Sequence, residues 1–298
     1  MNRFTAPDAT ILIHLRSVMA AVILSLSFLP DPAVAQRHSN EDSDWIYLFD
    51  GTDLSLWNTY VGPVLNEHTD WSKIKELPAE ALNTDTAQVF SIVDLEGSRV
   101  LRISGQTGGG ISTREEFANY HLQFEFKWGD NKWFPREKSK RDSGLLYHGI
   151  GDHGDGDGFW LRSQELQIQE GDCGDYWGVA GAEFNIPAIL NRDSVYQYKP
   201  DSDLLHFSAE SPIGRHCKKY PDAENPTGEW NTVDLFCFGD DAIHVINGTT
   251  VMELYDSRIL TDGKTNVLDK GKIEIQSEFS EVFYRNIRIR TINRLPKQ

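Results

Sequence analysis

The chain is short of cysteine, short of positive charge and empty of helical periodicity, and each shortage narrows what it can be. Three cysteines in 298 residues cannot build a disulfide framework; in an exported chain they allow one bridge and one spare thiol. Cys237 lies in the apolar stretch TVDLFCF and is expected to be the buried odd thiol, while Cys173 and Cys217, in polar, turn-rich stretches, are the better pair. A catalytic thiol is not expected of any of the three. Lys and Arg number 29 against 45 Asp and Glu, a net charge of −16. That balance argues against nucleic acid or an anionic membrane as the main partner, since both are polyanions. Also missing are a Gly-x-Ser-x-Gly elbow, a Walker loop, a Rossmann glycine fingerprint after a strand and a His-Glu-x-x-His helix, so acyl-serine, nucleotide and zincin chemistries lose support.

What is present begins with a leader. Arg3 and Arg16 precede an apolar run from Val18 to Leu29, and Ala-Val-Ala stands before Gln36. This pattern predicts a secretory signal peptide over 1–35, cleaved after Ala35, and a single mature domain over 36–298. The apolar run is too short for a membrane span, so no integral membrane domain is expected after cleavage. The expected location is the periplasm or the extracellular space.

Beyond the leader the apolar residues alternate with period two, as in YHLQFEFKW (120–128), GLLYHG (144–149), QELQIQ (164–169), TVDLFCF (232–238) and GKIEIQSE (271–278). Alternation of this kind, with turns such as Asn247-Gly248 between runs, predicts an all-β sandwich or jelly roll. Val61–Ala87 and Ala180–Thr227 read as long loops over one face.

Three strands pair a greasy face with an unusual polar one. Leu166 and Ile168 oppose Glu165, Gln167 and Gln169; Ile273 and Ile275 oppose Glu274, Gln276 and Glu278; Leu122, Phe124 and Phe126 oppose Gln123, Glu125 and Lys127. Amides beside carboxylates and aromatics suit sugar hydroxyls and sugar rings, although a solvated sheet face accounts for the same pattern. His148, closing DSGLLYH, is expected to face the way Glu165 does. The acidic stretch GDHGDGDG (151–158) has the composition of a calcium loop but lacks EF-hand spacing, and reads better as a flexible acidic loop.

Taken in order, LFDGTDLSLW (48–57), HLQFEFKW (121–128), DSGLLYH (142–148), QELQIQEGDCGDYW (164–177), GEWNTVDLFCFGDDAIHVINGTTV (228–251) and GKIEIQSEFSEVFYRNIRI (271–289) resemble the 3-keto-disaccharide hydrolase family. The resemblance implies a concanavalin-like β-sandwich, exported by bacteria and acting on glycosides oxidised at carbon 3. Asp142, His148 and Glu278 depart from the commoner family pattern. On this reading Glu165 or His148 is the base, and Lys127 or a divalent cation stabilises an enolate. Glu278 is the acid or a sugar ligand, Gln167, Gln169 and Gln276 orient hydroxyls, and Trp177 stacks on a ring. The metal, if any, stays unassigned. Two alternatives remain: a non-catalytic carbohydrate-binding protein, and a conventional glycosidase using Glu165 and Glu170.

Overall fold

Alternating apolar residues force two sheets to bury one face each against the other, and the computed structural model, which describes residues 44–297, has that arrangement. The smaller sheet has seven strands in the order His216–Cys217, Tyr176–Val179, Arg162–Gln169, Asp142–Ile150, Lys272–Ser277, Gly109–Thr113 and Trp57–Val61. The larger has twelve, with Asn231–Phe238, Tyr120–Lys132 and Ser280–Thr291 adjacent at its centre. All strand pairings within the two sheets are antiparallel. Leu145, Leu166, Ile168, Ile273 and Ile275 from the smaller sheet share one core with Leu122, Phe124, Phe126, Val233 and Leu235 from the larger. Burying each such side chain contributes about 1.5–3 kcal/mol. Asn247 and Gly248 make the expected tight hairpin, with φ of 49° and 75°, the left-handed pair such a turn demands. The leader lies outside the described residues. No helix among the described residues is long and apolar enough to cross a membrane.

Several expectations are corrected. Ala180–Thr227 is not all loop: Ala182–Leu190 is a strand paired with Thr249–Thr261. Pro187, which cannot donate to a ladder, hides that strand in the sequence. The polar faces do not form one surface either. Lys127 belongs to the larger sheet and projects from its outer side, where it pairs with Glu96, far in the sandwich from the outer face of the smaller sheet. Glu125 beside it is clamped by Arg285 at 3.0 Å. Cys173, Cys217 and Cys237 are all buried free thiols. Cys173 and Cys217 are both 0% exposed within the main apolar core, so each packs there as a small hydrophobe instead of closing a surface loop.

Candidate functional site

The outer face of the smaller sheet is covered by loops, and between loops and sheet lies a cavity of about 780 Å³. Its floor is built by period-two geometry. Glu165, Gln167 and Gln169 come from Arg162–Gln169, Asp142 from the neighbouring strand, and Gln276 and Glu278 from the strand beyond and its end. Its walls are Trp71 and Lys75 of the short 3-10 segment Trp71–Glu76, Phe159 and Trp160 of the loop at 151–161, and Trp177 with Arg215. Lys75 Nζ donates to the Asp155 carbonyl at 2.7 Å and ties two of these walls together. Phe159 is seated where Gly62 and Gly108 leave room, since a Cβ at either would fall 2.5 or 2.7 Å from its ring.

Charge in the cavity is concentrated around Arg136. Its guanidinium meets Asp142 Oδ2 at 2.5 Å and Glu278 Oε1 at 2.6 Å. Gln169 Nε2 also donates to Asp142. Burial pushes Asp142 well above its ordinary value, and the Glu278 charge pushes the same way. Burial likewise raises Glu278, against the opposing pull of Arg136. Two carboxyls and one guanidinium favour a state in which one carboxyl keeps its proton and the other is ionised. Glu165 is raised well above its ordinary value by burial first, then by Glu278, with Arg215 opposing. Its carboxyl makes no hydrogen bond to the protein among the described residues and lines the cavity, so its oxygens are open to a ligand. Buried carboxyls with raised proton affinity, one of them free of protein hydrogen bonds, can exchange a proton with a ligand in the cavity.

Gly144 allows these groups to converge. A Cβ at that position would lie 2.2 Å from Gln276 Oε1 and 2.3 Å from Glu165 Oε1. Gly144→Ala is therefore expected to drive both side chains off their positions, costing roughly 1–3 kcal/mol in stability. Urea denaturation checks this; unchanged stability would contradict it.

A family model described as the 3-keto-alpha-glucoside-1,2-lyase-like domain matches residues 44–290. The chain belongs to this family. A search of curated proteins found no match. Similar solved structures include two candidate glycosyl hydrolases from Parabacteroides distasonis. One is 19% identical over 83% of this chain and 99% of that chain, with a TM-score of 0.45. The other is 16% identical over 84% and 94%, also at 0.45. A carbohydrate binding module from Bacillus subtilis is 7% identical over 68% and 92%, at 0.39.

Of the residues expected from the sequence of this family member, Glu165, Gln167, Gln169, Gln276, Glu278 and Trp177 all line the cavity. His148 and Lys127 do not. The pairing register slips between Tyr147 and Ile150, and His148 takes φ of 54°, so the expected alternation fails there. The imidazole is buried instead against Tyr120 and Tyr147, its Nδ1 2.9 Å from the Leu268 carbonyl oxygen. Burial holds its pKa down at about 4. Glu170 is engaged by Arg141 and Thr227 and is no part of the cavity lining, which removes the second carboxylate of the conventional glycosidase reading. The stretch 151–158 serves as wall: Asp155 Oδ2 accepts from the Asp152 amide at 2.9 Å, and His153 Nε2 lies 2.9 Å from Ser112 Oγ. No cluster of three or more metal-ligating side chains occurs among the described residues.

Sequence reasoning missed Arg136, Arg215, Phe159 and Trp160, and noted Asp142 only as a departure from the family pattern without giving it a role. Asp142 was open to it, two residues before Gly144 on the face that carries Glu165. The others arrive on loops, where periodicity carries no information.

Proposed function

We propose that the chain is an exported enzyme that cleaves 3-keto-glycosides, with Glu165 as base and Arg136 as the cation that stabilises the enolate. The observation that carries this reading is the unbonded, proton-avid Glu165 carboxyl facing a cavity in which the Asp142 and Glu278 carboxyls are gathered on one guanidinium. A ketone at carbon 3 acidifies the hydrogen on carbon 2. Glu165 takes that proton as the C2–H bond breaks, and the electron pair moves onto the carbonyl oxygen beside Arg136. The enolate then collapses: the ketone re-forms, C1 and C2 become doubly bonded, and the C1–O bond to the leaving group breaks. Glu278, whose side chain is 13% exposed where that of Asp142 is 0%, protonates the departing oxygen. Water added across the new double bond, hydroxyl to C1 and hydrogen to C2, completes a net hydrolysis. Removal of the leader after Ala35 is part of the same reading.

Purified protein starting at Gln36 is expected to release the leaving group from a 3-keto-glucoside and not from the unoxidised parent. A chelator should leave the rate unchanged, because Arg136 supplies the positive charge. Equal cleavage of both compounds would replace this mechanism with ordinary glycoside hydrolysis.

The carbohydrate-binding alternative has one observation of its own. The Oε1 atoms of Gln167 and Gln276 are buried with no hydrogen-bond partner, a costly state that ligand donors would relieve without any chemistry. Sugar affinity with no release from either compound would select it.

A further inference from the structure

The loop at 151–161 that walls the cavity is fastened from beneath by a carboxyl the proposed chemistry does not use. Leu146 of Asp142–Ile150 pairs with Glu165 on one side and with Glu274 of Lys272–Ser277 on the other, so both carboxyls stand in one cross-strand row of the outer face. Glu165 opens into the cavity and Glu274 does not. Glu274 is 0% exposed, and its Oε2 accepts the Leu161 amide at 2.9 Å, next in sequence to the wall residues Phe159 and Trp160. Three consecutive glycines fit this arrangement. Gly108 seats Phe159, the Gly109 carbonyl accepts Trp160 Nε1 at 2.9 Å, and a Cβ on Gly110 would fall 2.0 Å from Glu274 Oε1.

The second oxygen, Glu274 Oε1, is buried with no hydrogen-bond partner, a poor setting for an ionised carboxylate. The titratable and charged groups around it are Tyr60 of Trp57–Val61, His153 of the wall loop, Glu165 across Leu146, and Lys272 on its own strand. Gly109–Thr113 presents Ser112 beside it and no charge. Both possible cations are engaged elsewhere. Lys272 Nζ donates to the Thr113 and Arg114 carbonyls at 2.9 and 2.5 Å. His153 Nε2 lies 2.9 Å from Ser112 Oγ, and burial lowers the affinity of that ring for a proton. Burial, only partly opposed by the Leu161 amide, accordingly lifts Glu274 to about 8.

We propose that Glu274 is the positioning residue of this wall: as an uncharged carboxyl it clamps Leu161, holds Phe159 and Trp160 over the cavity, and lets the wall open more readily as pH rises. The inference rests on the reading of the cavity as the glycoside site and adds what holds its aromatic side in place. The sign follows from proton binding. In the closed form the carboxyl keeps its proton; once the wall opens, water returns it to its ordinary 4.5 and it ionises. The closed form therefore binds one proton more, and between those two values each unit of pH favours opening by about tenfold, with no further change above about 8.

Hydrogen exchange reads the wall directly, as protection factors for the amides of Phe159, Trp160 and Leu161 from about pH 5 to pH 9 in the parent protein, Glu274→Gln and Glu274→Met. Opening also hydrates Glu165, and that share of the pH course persists in Glu274→Gln. The parent is expected to lose protection more steeply than Glu274→Gln, by about tenfold per pH unit up to about pH 8. The Gln side chain still offers Leu161 an acceptor, so its protection should exceed that of Glu274→Met by about three- to tenfold. KM for a 3-keto-glucoside should follow the wall and be higher in the Met variant than in the Gln variant. Parallel courses in the parent and Glu274→Gln, or equal protection in the Gln and Met variants, would overturn the proposal. If Glu274→Met does not fold, the first comparison decides. Should the parent turn over no 3-keto-glucoside, the catalytic reading fails alone, and the exchange data still uphold or overturn the anchor.

Discussion

Glu165→Gln is expected to lower turnover of a 3-keto-glycoside by about 10²–10⁴-fold, the usual contribution of a positioned proton acceptor. The amide keeps the shape of the side chain and removes its affinity for a proton. Stability should not suffer. The native carboxyl is raised well above its ordinary 4.5 by burial first and by the neighbouring Glu278 charge second, so the folded protein carries an energetic cost of ionisation at this position that an uncharged amide does not. A group raised in this way contributes stability that is complete below its unfolded value and is lost as pH climbs through the folded one. The parent protein therefore carries a loss of stability with rising pH that the Gln variant lacks. Single-turnover kinetics with thermal melts at acidic and neutral pH test both halves. A fall in turnover of less than fivefold in a folded variant would remove Glu165 from the chemistry.

Arg136→Met is expected to be the most destabilising single change in the cavity, at about 3–5 kcal/mol near neutral pH. The guanidinium is the shared partner of Asp142 and Glu278, and its loss strands two buried carboxyls. Both are already pushed upward, burial being the first cause for each, and without Arg136 they must rise further or remain charged and unpaired. The sign of the pH dependence follows. Below their unfolded values both carboxyls are protonated in either state and the variant differs little from the parent; the deficit then grows as pH rises. Urea denaturation at pH 4 and pH 7.5 reads this directly. An equal deficit at both pH values would mean that Arg136 acts by packing its stem and not by its charge. Activity should also fall, since the same guanidinium faces the proposed enolate.

These two residues differ in how far the sequence exposes them. Glu165 is legible because a strand has a fixed period: once Leu166 and Ile168 are assigned to the core, Glu165, Gln167 and Gln169 must share the opposite face. The same logic brings Gln276 and Glu278 to that face, and the Asn247-Gly248 turn needs only local backbone preference. Arg136 is illegible for the complementary reason. It stands in a loop, and its partners Asp142 and Glu278 meet it only when the chain has folded. His148 fails for a third reason, since one slipped register and one positive φ reverse the side its ring takes. Lys127 shows the limit of alternation itself, which tells which residues share a face of one strand but not which sheet that strand joins.

The sequence by itself determined that this chain is an antiparallel sandwich whose strands carry amides and carboxylates away from the core, because side-chain alternation and turn chemistry act over a few residues. Only the tertiary structure decided which of those polar faces is covered by loops, which carboxyls share Arg136, and that His148 turns away from the cavity. Those outcomes depend on contacts between segments far apart in the chain, and burial, which sets the proton affinity of every group in the site, is a property of the assembled fold alone.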